Sequence, residues 1–206
     1  MKITIIGTHS TGKTTILTRL FARLQGYGAK VYIVPEMARL CPYPINETST
    51  IEAQEWILNA HIEAEKQAEN AYDIVLCDRA TIDNFAYFLK AIERTACVLP
   101  NNKWEQMAVA HAHTYTYIFK TQKISLFAKP DAQRTTNEEF RNEIDQTIAR
   151  LLEKNAFAHT LLPPTFDYEE HVNFILRHTG VLDLSPNSIS AEIAKFWSKS
   201  FQNFST

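Results

Sequence analysis

The sequence predicts an α/β protein in three layers, a parallel sheet covered by helices on both faces, and three observations lead there. Short apolar, β-branched runs alternate with stretches of helical periodicity through most of the 206 residues. The first three of these runs stop at Gly7, Pro35 and Asp78, as buried parallel strands do where they meet a turn. The length suits one such domain, large enough to bury a core without disulfide or metal staples.

Each element has its own justification. Ile3 to Ile6 is a buried strand ended by Gly7. Thr14 to Gln25 spaces Ile16, Leu17, Leu20, Phe21 and Leu24 as a helix, closed by Gly26 and Gly28. Val31 to Val34 is the second strand. Ile51 to Tyr72 carries Trp56, Ile57, Ala60, Ala64 and Ala68 on one helical stripe. Ile74 to Cys77 is the third strand and ends at Asp78. Asp83 to Glu93 and Lys103 to His111 read as helices, and Tyr115 to Phe119 as the fourth strand. Thr121 to Asn137 is polar, contains Pro130, and reads as a loop. Glu138 to Lys154 sets Phe140, Ile144, Ile148, Leu151 and Leu152 on one side of a helix. Phe157 to Leu162 is the fifth strand, stopped by Pro163-Pro164, and Tyr168 to His178 is a helix. Ser190 to Phe201 is a final amphipathic helix, with Ile193, Trp197 and Phe201 at i, i+4 and i+8. The expected division is a domain over 1–180 and a tail over 181–206 whose helix packs on it.

Composition narrows the function. Hydrophobic content of 45%, charged content of 21% and a net charge of −2 are those of an ordinary globular chain. They indicate neither a nucleic-acid arm nor an anionic-membrane surface. No run approaches the apolar length of a membrane span. Met-Lys-Ile-Thr-Ile-Ile-Gly reads as a strand entering a turn rather than a signal segment. Cys41, Cys77 and Cys97 form no Cys-x-x-Cys pair. A reducing, cytoplasmic setting is the expectation, with the protein a monomer or homodimer.

The strongest chemical signal is Gly7-Thr8-His9-Ser10-Thr11-Gly12-Lys13-Thr14, with Thr15 following. This is the phosphate-loop pattern of Gly, four residues, and Gly-Lys-Ser/Thr. A turn between strand and helix aims successive N–H groups into an anion nest, and the helix dipole adds to it. Gly7 and Gly12 allow close backbone approach. Lys13 brings a compact charge to the β- and γ-phosphates, and the Thr14 hydroxyl is a hard oxygen ligand for Mg²⁺. ATP is the expected nucleotide and GTP the alternative. No Asn-Lys-x-Asp run follows the fourth strand to read guanine.

Two further strands end in acids on the edge where ligands bind. Asp78 suits Mg²⁺ coordination or, alternatively, an N-cap before Ala80-Thr81-Ile82. Glu36 suits either a base for an acceptor hydroxyl or Mg²⁺ water coordination. Arg39, one turn later, and Arg79, directly after Asp78, suit recognition of an anionic group. Asp83, Phe85, Tyr87 and Phe88 follow and can line an acceptor pocket or the core. Lys129, Arg134 and Arg141 lie where a polar segment could close over phosphates.

The phosphate loop, Val34-Pro35-Glu36-Met37-Ala38-Arg39 and Cys77-Asp78-Arg79-Ala80-Thr81-Ile82-Asp83-Asn84 together resemble the AAA-type ATPase/kinase-like P-loop family. That family includes a nicotinamide riboside kinase domain, and the chain is also similar to deoxynucleoside and thymidylate kinases. The resemblance covers about residues 1 to 180. It implies a P-loop NTPase fold with a five-stranded parallel sheet. It also implies transfer of the ATP γ-phosphoryl group to a small nucleoside- or nucleotide-like acceptor. Glu36 would be the base, Asp78 and Arg79 the pair after the third strand, and Asp131 to Arg141 an arginine-bearing lid within about 121–141. A regulatory ATPase acting on a protein partner through the tail helix is the other expectation.

Overall fold

The computed structural model describes residues 1–95, 103–123 and 138–181. The strands are β1 (Lys2–Ile6), β2 (Val31–Val34), β3 (Ile74–Asp78), β4 (Tyr117–Lys120) and β5 (Thr160–Leu161). The helices are α1 (Lys13–Gly26), α2 (Ile51–Glu69), α3 (Thr81–Thr95), α4 (Lys103–Ala112), α5 (Glu138–Lys154) and α6 (Tyr168–His178). Two 3₁₀ turns, Met37–Leu40 and Asn46–Thr48, fill the passage from β2 to α2.

All strand pairs are parallel and the order is β2-β3-β1-β4-β5. The chain therefore leaves β1 for one side of the sheet and returns to the other side at β4. Such a reversal leaves a crevice at the carboxyl ends of the strands.

Alternation along the central strands sorts the core into two faces. Ile3 and Ile5 of β1, with Ile74 and Leu76 of β3, pack against Ile16, Leu17, Leu20 and Leu24 of α1 and Val172, Ile175 and Leu176 of α6. Ile6, Val75 and Cys77 join the opposite cluster, with Ile57 and Leu58 of α2, Phe85 and Phe88 of α3, and Ile144 and Ile148 of α5. Each such side chain contributes about 1.5–3 kcal/mol of burial. Helix ends are held locally. Thr50 Oγ1 accepts from the Ala53 N–H at 3.2 Å to start α2, and Asp167 Oδ1 accepts from the Glu169 N–H at 2.8 Å to start α6.

Several boundaries differ from expectation, α2 for one ending at Glu69 rather than Tyr72. The fifth strand shrinks from Phe157–Leu162 to the two residues that pair with Phe119 and Lys120. Its first residues serve the end of α5 instead. Ala156 takes φ 52° and the Phe157 N–H returns to Leu152 O at 3.0 Å. The fourth strand begins at Tyr117 rather than Tyr115, whose hydroxyl is engaged in the core. Helix α3 starts at Thr81, two residues early, which puts Asp83 inside its first turn. The expected tail helix, Ser190 to Phe201, lies outside the described residues.

Candidate active site

The phosphate loop joins β1 to α1 at the crevice. Gly7, Ser10 and Gly12 take positive φ of 135°, 59° and 79°. The two glycines are sterically required. A Cβ on Gly7 would meet Thr121 Oγ1 at 2.3 Å, and one on Gly12 would meet the Tyr168 ring at 2.8 Å. Gly12 caps α1 with no side-chain acceptor, leaving its first N–H groups to an anion. Thr11 and Thr121 share a hydroxyl contact of 2.8 Å that ties the loop to the end of β4. Thr14 and Thr15 are exposed at the start of α1.

Lys13 curls beneath the loop. Its Nζ donates to Gly7 O at 3.0 Å and Thr8 O at 2.7 Å. Burial, reinforced by the Arg79 charge, pulls its pKa down to about 7, against the carboxylates of Glu36, Asp78 and Asp83.

At the end of β3, Asp78 Oδ2 accepts from Thr14 Oγ1 at 2.5 Å. Asp78 Oδ1 is buried with no hydrogen-bond partner among the described residues. A carboxylate oxygen left open beside a hydroxyl is the hard-oxygen donor set that Mg²⁺ takes. The N-cap alternative does not hold. Thr81 N–H goes to Tyr115 Oη at 3.1 Å and Ala80 N–H to Asp83 Oδ1 at 2.7 Å.

Glu36 is buried and its carboxylate is shared by two guanidiniums. Arg79 Nε lies 2.7 Å from Oε1 and Arg39 Nε 3.0 Å from Oε2. Arg79 is itself buried, not a surface ion-pair partner, and also reaches Gly7 O at 3.2 Å. Its backbone sits at φ 90°, a conformation that costs on the order of 1–3 kcal/mol in a residue with a side chain. The Tyr87 ring lies 4.9 Å beneath its guanidinium.

One expected placement is corrected. Asp83 is not on an acceptor surface. It is fully buried, and it accepts from Ala80 N–H, from Gly7 N–H at 3.4 Å and from Arg79 Nη1 at 3.3 Å. Burial raises its pKa, against the pull of Arg79 and Lys13. Asp83 therefore fastens the start of α3 under the phosphate loop. His9, within the phosphate loop, is turned inward. It is buried with Nδ1 3.1 Å from Tyr87 Oη, and Phe140 lies against its ring.

Arg141 is buried on the first turns of α5, paired with Glu138, and faces the cleft beside Ser10, Thr11 and Gly12. Arg134 and the segment 124–137 lie outside the described residues. That cleft also takes in Phe166, Tyr168 and His171. A second cleft lies on the other side of the loop, lined by His9, Glu36, Arg39, Arg79, Asn84 and Gln54 among others. Asn84 was missed in the sequence. It is buried, and its Nδ2 has no hydrogen-bond partner among the described residues.

Sheet order, phosphate loop and acidic strand ends define a P-loop nucleotide-binding protein of kinase-like fold. A family model described as an AAA domain matches residues 2–171, and the chain belongs to that family. No curated protein matches it. Among solved structures it is similar to the NadR protein in complex with NAD and AMP-PNP, with a TM-score of 0.63 at 19% identity over 87% of this chain. The chain spans 49% of that protein. It is similar to deoxyadenosine kinase from M. mycoides, TM-score 0.63 at 16% identity, over 88% of this chain and 100% of the other. Thymidylate kinase from Ehrlichia chaffeensis gives 0.55 at 16% identity, over 85% and 96%. These likenesses concern the fold.

Proposed function

We propose that the protein is an ATP-dependent kinase transferring the γ-phosphoryl group to a small nucleoside- or nucleotide-like acceptor. One observation carries this reading. Two separate clefts flank one phosphate loop, and the second is lined by a carboxylate, two guanidiniums and a buried amide whose Nδ2 has no partner among the described residues. A nucleotide-hydrolysing switch needs only the first. No helix among the described residues is long and apolar enough to cross a membrane. The proposed catalytic domain is 1–180.

In this reading the loop N–H groups, Lys13 and Arg141 hold the triphosphate, with Arg134 joining from the lid. Thr14 and Asp78 would hold Mg²⁺, which supplies charge neutralisation between the phosphates. An acceptor hydroxyl oxygen bonds to the γ-phosphorus as the bond to the β–γ bridging oxygen breaks and ADP leaves. Glu36 takes the hydroxyl proton. To do so it must release one guanidinium, and Arg39 is the more exposed of the two. Positioning and electrostatic stabilisation supply most of the rate.

The test is Mg²⁺-dependent ATP consumption against nucleosides, nucleoside monophosphates and nicotinamide riboside, with the product identified by mass spectrometry. One acceptor should stimulate turnover strongly. Glu36→Gln should lower acceptor phosphorylation by about 10²–10⁴-fold while leaving ATP affinity within about twofold. Full activity in that variant removes Glu36 as base, and acceptor-independent turnover removes the kinase reading.

A further inference from the structure

We propose that His171 selects the base of the bound nucleotide, its Nδ1 accepting a hydrogen bond from the exocyclic amine of adenine. The inference rests on reading the cleft beside Ser10, Thr11 and Gly12 as the nucleotide's seat. That cleft has two ends. Ser10, Thr11 and Gly12 form the phosphate end, while Thr165, Phe166, Tyr168 and His171 come from the segment between β5 and the first turns of α6. A triphosphate on the loop directs its base toward that second group.

His171 is 6% exposed, and its Nε2 lies 2.9 Å from Pro163 O. A carbonyl oxygen can only accept, so Nε2 carries the proton. In the neutral ring Nδ1 then presents a lone pair. Nδ1 is buried and has no partner among the described residues. A buried acceptor left unsatisfied is costly, and a ligand donor relieves that cost.

The two purines answer this lone pair oppositely. Adenine presents an amine at position 6, and guanine presents a carbonyl oxygen there. The first donates to Nδ1. The second sets lone pair against lone pair, so one acceptor both favours ATP and disfavours GTP. Phe166, 53% exposed beside His171 in the same wall, offers a face for the ring. Sequence could not reveal this role, because the tautomer is set by Pro163, eight residues away on the other side of a turn.

The experiment compares three triphosphates, ATP, GTP and purine riboside triphosphate, which lacks the amine. Affinities are measured by calorimetry on the full chain and on His171→Phe. The expected result is that the unmodified protein binds ATP about 10–100-fold more tightly than purine riboside triphosphate. His171→Phe should bring the two within about threefold of each other while still binding both through the phosphate loop. A second measurement needs no variant. The imidazole ¹⁵N spectrum should show the His171 Nδ1 resonance moving with ATP and staying in place with purine riboside triphosphate. Equal affinities in the unmodified protein, discrimination that survives in His171→Phe, or an Nδ1 resonance indifferent to the amine each overturn the proposal. Those outcomes leave nucleotide binding intact, whereas failure of every triphosphate to bind removes the phosphate-loop reading as well.

Discussion

Lys13 keeps its ammonium group where almost no water reaches it. With a pKa brought down to about 7, it is largely neutral in the unliganded protein somewhat above neutrality. The sign of the linkage follows. Between about pH 7 and 10 the unfolded chain holds a proton that the folded one has lost, so the cost of burying this group falls as pH rises through that range. Phosphates reverse the situation by restoring charge to the lysine. ATP binding at about pH 8 should therefore take up close to one proton at Lys13, and at about pH 6 almost none. Calorimetry in buffers of different ionisation enthalpy measures this. A binding heat that is buffer-independent at pH 8 would remove the argument. The phosphate loop was legible because its spacing is dictated by backbone geometry alone. His9, Asn84 and Asp83 were not, because a side chain's direction depends on what packs around it. Tyr87 turns His9 inward, and the early start of α3 buries Asp83 and turns Asn84 into a cleft.

Among the elements, helix α2 is joined to the rest of the core through Glu65. Its carboxylate accepts from Lys2 Nζ at 2.8 Å, His111 Nε2 at 2.6 Å and Tyr115 Oη at 2.8 Å. His61 Nε2 comes within 2.7 Å, outside hydrogen-bonding geometry. Burial by itself would raise the Glu65 carboxyl. The His111 bond and the nearby His61 and Lys2 outweigh that and hold it well below the usual carboxylate range. A depressed carboxyl stabilises the fold above its unfolded value of 4.5 and loses that contribution as pH falls below it. Glu65→Gln leaves Lys2 without its full partner and should cost about 3–5 kcal/mol at neutral pH. Urea unfolding against pH should show the acid limb flattened in that variant. An unchanged limb would show that other carboxylates carry it. The helical stripe of α2 was plain in the sequence. Its polar centre was not, since Lys2, Glu65 and His111 lie on three different elements. His111 and His113, adjacent in His-Ala-His, go separate ways, one to Glu65 and the other onto the Phe157 ring. Element types were legible because period 2 and period 3.6 differ sharply, whereas β5 was overcalled because an apolar run can also close a helix.

For the whole molecule, the order β2-β3-β1-β4-β5 sets the two clefts on opposite sides of β1. The cleft at Glu36 and Arg79 lies at the end of β3, which is paired on both edges, and the cleft at Phe166 and His171 lies just past β5, which pairs through two residues. One half of the site is thus built on the most tightly paired part of the sheet and the other on its weakest margin. Short edge pairing has a consequence in time. Amides of Thr160 to Leu162 should trade their protons for deuterium through local opening, far faster than those of β1 and β3. A nucleotide bridging the phosphate loop and the start of α6 would hold that margin shut. Exchange there should slow by about tenfold or more with ATP while β3 stays as it was. A nucleotide that left these amides unchanged would mean that its base lies elsewhere. Slowed exchange would make this a molecule whose nucleotide end becomes firm only when occupied.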